Sequence, residues 1–77
     1  MQGDVPIVGA NIRRLRKKNH MRNIDVIIQL QLTGMPYSSS TLSKIERGRS
    51  NPPVALLVAL TDIFQCDYNA FFEQDTD

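Results

Sequence analysis

One cysteine, Cys66, and one histidine, His20, are the only residues of their kind in this 77-residue chain. Neither an internal disulfide nor a zinc cluster can be built from them, and a cysteine without a partner fits a reducing cytoplasm. Cys66 stands two residues after Phe64 and reads as a small core residue, since free cysteine is usually buried. As a nucleophile it would have only His20 for a base, and His20 reads as a solvated residue at a helix end. The apolar runs are short and interrupted, so no membrane span, secretory signal or lipidation motif is expected. Strict apolar–polar alternation is missing too, which argues against a half-buried sheet, and there is no internal repeat or low-complexity tract. No pair of carboxylates, phosphate loop or nucleophile–base set is spaced for catalysis. The chain therefore does not read as an enzyme, and neither a metal nor a cofactor is expected.

Basic residues are absent after Arg49. All nine lie between Arg13 and Arg49, against three acids (Asp4, Asp25, Glu46), a net +6 over residues 1–50. Residues 51–77 hold five acids and no base, a net −5. A basic half and an acidic half in one chain suggest that one face meets a polyanion. A chain of this length forms one small domain, residues 1–77 with a core at about 6–73. It buries only about 60% of the surface its unfolded form exposes. With disulfide and metal closed off, stability has to come from helix packing, completed by a second copy where needed.

The apolar residues recur at three and four. Val8, Ile12 and Leu15 mark one face of a first helix, with Asp4 or Val5 ahead of it as cap and Pro6 in its first turn. Arg13, Arg14 and Lys17 point away from that stripe, whereas Arg16 borders it and needs either an apolar bed for its stem or an acidic partner. A second helix is expected from Asn23 or Ile24 to Leu32. Its wide apolar arc (Ile24, Val26, Ile27, Ile28, Leu30, Leu32) predicts a helix pressed between others. Gly34 and Pro36 break it. A third helix starts in the serine run, turns Leu42 and Ile45 inward, and stops at Gly48, placed for a left-handed cap. Asn51 and the two prolines that follow open a fourth helix, whose dense apolar residues from Val54 to Phe64 make it the central one. Asp67 can cap a last short turn that buries Phe71 or Phe72, and the chain after Glu73 is polar and frayed. The expected fold is all-α, a compact domain of four to five helices.

The third helix carries the chemistry. Ser38 or Ser39 can cap it. With Leu42 and Ile45 inward, Ser40, Ser43, Lys44 and Arg47 share the outward arc, and Glu46 sits beside the apolar stripe. The outer face thus has small donors, two cations and no acid. Such a face suits a DNA major groove, where hydroxyls and lysine reach base edges and phosphates.

The stretch "TLSKIERGRSNPP", with "VGANIRRLRKK" upstream and "LLVALTDIFQCDYNAFF" downstream, resembles the Cro/CI-type (XRE-like, phage-repressor-like) helix-turn-helix DNA-binding family over residues 7–72. The resemblance implies that Arg16 pairs with Glu46 to tie the first helix to the third. It implies that Ser39, Ser40 and Lys44 reach base edges, while Ser38, Ser43, Arg47, Arg49, Arg22 and Asn23 meet phosphate. Two features depart from the family pattern. Arg22-Asn23 stands where the family has Ser/Thr followed by Gln, and "LTGMPYSSS" is about two residues longer than the usual tight turn. Serines also occupy reading positions where arginine or glutamine would make bidentate contacts, so discrimination would rest on Lys44 and DNA shape.

The sequence therefore predicts a cytoplasmic regulator of transcription, repressor-like in fold, that binds double-stranded DNA as a homodimer on two half-sites. The last helices would supply the dimer contacts, from among Leu60, Phe64, Tyr68, Phe71 and Phe72. The alternative is a protein-interaction module of the same fold, an antitoxin or accessory subunit with weak DNA binding or none.

Overall fold

The computed structural model describes residues 7–74, and every regular element in that span is helical. Four α-helices follow in order: α1 (Ile7–Lys18), α2 (Asn23–Leu32), α3 (Ser39–Glu46) and α4 (Val54–Phe64). A five-residue 3-10 turn (Tyr68–Phe72) closes the chain. The cap expected at Asp4 or Val5, Pro6, and the tail beyond Gln74 lie outside the described residues.

The first three helices end the same way. After α1, α2 and α3, one residue turns left-handed: His20 (φ 57°), Gly34 (φ 84°) and Gly48 (φ 79°). The next N–H then reaches back to the carbonyl five residues earlier, as Met21 to Arg16 (3.1 Å), Met35 to Leu30 (2.9 Å) and Arg49 to Lys44 (2.8 Å). This arrangement satisfies carbonyls that a helix end leaves open and turns the chain sharply. Gln65 (φ 53°) takes the left-handed role after α4. The prolines sit one step earlier than expected, with Pro53 at the cap position rather than inside the first turn.

One core collects Ile12 and Leu15 from α1, Val26, Ile27 and Leu30 from α2, Leu42 and Ile45 from α3, Leu56, Leu57, Leu60 and Phe64 from α4, and Phe71 from the closing turn. Each fully buried Leu, Ile or Phe contributes about 1.5–3 kcal/mol relative to exposure. Two expectations are corrected. Helix α2 is not pressed between others all round: Ile24, Ile28 and Leu32, spaced i, i+4, i+8, face outward, Leu32 with 76% of its surface accessible. A chain this short provides packing for one side of α2 only. Asp67 makes no side-chain cap, and instead its backbone carbonyl accepts from the Ala70 N–H.

Two contacts position α3 and the closing turn against α1. Gly9 lets α1 and α3 touch backbone to backbone, since a Cβ there would overlap the Ile45 carbonyl oxygen. Asn11, buried two residues further along α1, donates both amide hydrogens to the carbonyls of Phe71 (2.9 Å) and Glu73 (2.8 Å) and accepts from Arg14 Nε (3.2 Å).

Candidate nucleic-acid interface

Helix α3 is short and framed at both ends. At its start Ser38 caps it, the Oγ accepting from the Thr41 N–H (3.1 Å) and donating to Thr41 Oγ1 (3.0 Å). At its end, Glu46 turns inward to Arg16. Arg16 Nε donates to Glu46 Oε2 (2.8 Å) and Nη2 to Oε1 (3.0 Å), a two-pronged pair. A third N–H of Arg16 goes to the Met21 carbonyl (3.0 Å), so one guanidinium joins α3, α1 and the turn into α2. The side chains are only 13% and 6% exposed. The acid of α3 is thereby neutralised and removed from the outer face.

The residues expected to meet DNA fall into two groups. Ser39, Ser40, Lys44, Arg47 and Arg49 are exposed, and Lys44, Arg47 and Arg49 form no ion pair among the described residues. The other four are already engaged within the protein. Ser38 spends its hydroxyl on the cap. Arg22 is 78% exposed but paired with Asp25 (Nη2–Oδ1 2.9 Å, Nε–Oδ2 3.1 Å). The Asp25 carboxylate also accepts from the Arg22 backbone N–H (2.7 Å), an N-terminal cap for α2. Hydrogen bonds from the Arg22 side chain, then its backbone, hold the Asp25 carboxyl below its usual range.

Asn23, half-buried where α2 meets α3, directs Nδ2 at the Ser39 carbonyl (3.4 Å) and Ser43 Oγ (3.3 Å). Both amide hydrogens are spent inside the protein. Its Oδ1 is buried with no donor, and a phosphate oxygen, itself an acceptor, cannot supply one. The contact open to Asn23 is its backbone N–H in the unfilled first turn of α2. Six residues, Thr33 to Ser38, separate α2 from α3.

Of the residues offered as dimer contacts, Leu60, Phe64 and Phe71 are core residues. The monomer needs their bulk to fill its interior. Tyr68 and Phe72 remain exposed, Phe72 at 47%, with ring centroids 5.5 Å apart. Burial, then the charge of Asp67, pushes the Cys66 thiol above its usual value, the opposite of what a nucleophile needs.

Sequence reasoning missed Gly9, Asn11 and Arg13. A glycine inside a helical pattern was the available signal for close approach. Asn11 and Arg13 carried none, because only the docking of other elements against α1 gives them neighbours. Arg13 lines a half-open cleft of about 190 Å³ together with Arg16, Asn23, Ser43, Glu46 and Arg47. No helix among the described residues is long and apolar enough to cross a membrane.

The family model described as helix-turn-helix matches residues 12–71, which is most of the chain, so the protein belongs to that family. No curated protein and no solved structure matches it.

Proposed function

We propose that this helix-turn-helix protein is a sequence-specific regulator of transcription that lays α3 in the DNA major groove and acts as a homodimer in the cytoplasm. The observation that carries this reading is the acid-free outer side of α3. Ser39, Ser40, Lys44 and Arg47 are exposed there, and Glu46 is turned inward and neutralised by Arg16. Lys44 and the serine hydroxyls would meet base edges, Arg47 and Arg49 the phosphates. Exposed Tyr68 and Phe72 are the surface offered to a second copy, which would set two half-sites about 34 Å apart.

The test is binding to a random-sequence duplex across a salt series, followed by selection of preferred sites and mass measurement of the complex. Binding at low salt that fades steeply as salt rises is expected, weakened by Lys44→Ala and by Arg47→Ala. The absence of any shift at low salt would sink the reading. A protein-interaction module would then take its place, and the exposed stripe of Ile24, Ile28 and Leu32 on α2 is the observation that favours it.

A further inference from the structure

We infer that Arg13 of α1 is a DNA contact, and that the cleft between α1, α2 and α3 seats one backbone phosphate between the guanidinium groups of Arg13 and Arg47. This rests on the DNA-binding reading above and adds to it a residue on a helix outside the helix-turn-helix pair.

The cleft holds four charged side chains, but two cancel. Arg16 and Glu46 satisfy each other through two hydrogen bonds. What remains is Arg13 and Arg47, both exposed and neither paired with a carboxylate among the described residues. Two like charges converging on one half-open cleft repel each other, and a shared anion removes that repulsion. Guanidinium forks match the geometry of phosphate oxygens. The first turn of α2, which starts at Asn23, adds backbone N–H groups not used within the helix, whose first backbone bond is donated by the Asp25 N–H to the Arg22 carbonyl. Ser43 places the cleft at the edge of α3, so a backbone running beside a groove-bound α3 passes over it.

The orphaned Oδ1 of Asn23 points to the same assembly. It lies on a residue lining this cleft and needs a donor. A bare phosphate oxygen is the wrong group, but a guanidinium has five N–H groups, enough to serve Oδ1 and a phosphate oxygen together. An arginine drawn inward by the phosphate therefore satisfies an acceptor that the free protein leaves unmet. Arg14, next in sequence, is turned the other way, toward Asn11 and Glu73.

The experiment measures how log K for a fixed duplex depends on log salt, using the full chain and charge-removing variants. Each neutralised phosphate contributes about 0.9 to that slope. Arg13→Gln and Arg47→Gln should each flatten it. Because they share one phosphate, the double variant should lose about 0.9 in total rather than about 1.8. Arg13→Lys should restore the slope, and Arg14→Gln should leave it at the wild-type value. An unchanged slope in Arg13→Gln, or an equal loss in Arg14→Gln, would overturn the seat while leaving the DNA-binding reading intact. No salt-dependent binding by the wild type would overturn both.

Discussion

The two ends of α3 are held very differently. At the C-terminal end a backbone contact at Gly9, a doubly hydrogen-bonded Arg16–Glu46 pair and a left-handed stop at Gly48 fix the helix to α1. At the N-terminal end it rests on one serine cap and on two long bonds from Asn23, whose own carbonyl is left unsatisfied. The strong anchor lies under the end that carries Arg47, and the weak one under the serines offered to the bases. On the proposed DNA-binding reading, α3 would be clamped where it has to be aimed and adjustable where it has to adapt to base edges.

The comparison breaks most severely at the clamp. Glu46→Ala leaves the Arg16 guanidinium in an enclosed site without its carboxylate. The expected loss is about 3–5 kcal/mol, readable as a midpoint shift in urea unfolding. Replacing both partners together, Arg16→Met with Glu46→Leu, should recover much of that loss, because two well-packed apolar side chains can do as well as a buried pair. A double variant as unstable as the single would mean that the fold depends on the Arg16 bond to the Met21 carbonyl rather than on the pair.

Gly9→Ala is the next largest. In an ordinary helix interior this change stabilises by roughly 0.5–1 kcal/mol. Here the new methyl meets the Ile45 carbonyl, and overpacking of this kind costs about 1–3 kcal/mol. The sign of the change in melting temperature is therefore the readout. DNA affinity should fall with it, because α3 has to shift away from α1 to make room.

At the weak end, Ser38→Ala removes the cap of α3, with an expected cost of about 1 kcal/mol. Ser38→Asp should restore the cap, since aspartate caps as well as serine, while weakening DNA binding by adding an acid beside the reading face. A stability loss as large as that of Glu46→Ala would erase the contrast between the two ends.

Much of this is legible in the sequence. The spacing of Val8, Ile12 and Leu15, and of Leu42 and Ile45, carries the helical period, and the residues bordering those stripes, Arg16 and Glu46, are the ones that meet. Glycine at 48 announced the stop of α3 through its backbone freedom. What stayed hidden depended on neighbours distant in sequence. Periodicity gives α2 a wide apolar arc, but only the number of packed layers decides that Ile24, Ile28 and Leu32 stay outside. The same limit applies at the C-terminus, where Phe71 and Phe72 are adjacent and equally apolar and the docking of the 3-10 turn alone buries one and exposes the other. Likewise the sequence leaves the Asn23 amide open to a phosphate, and only the docking of α3 occupies both its hydrogens.

The smallest effect on stability comes from Asp25, and it sharpens the contrast at the start of α2, beside the weak end. On the DNA-binding reading, Asp25 would compete with a phosphate for Arg22, because the guanidinium already holds a carboxylate through two bonds. Its folded-state carboxyl titrates below the unfolded value. The stabilisation is therefore present above the unfolded pKa of about 3.9 and lost as pH falls through the lower folded value. It is small at neutral pH, since the pair is exposed and screened by salt. Asp25→Asn should thus change stability little near neutrality while freeing Arg22 for a phosphate. Affinity for a duplex at low salt should rise, and the salt slope should steepen by up to about 0.9, one phosphate. An affinity that falls instead would mean that the carboxylate serves DNA binding by holding the first turn of α2 in place, and that the capped backbone amides, rather than the Arg22 side chain, face the phosphate.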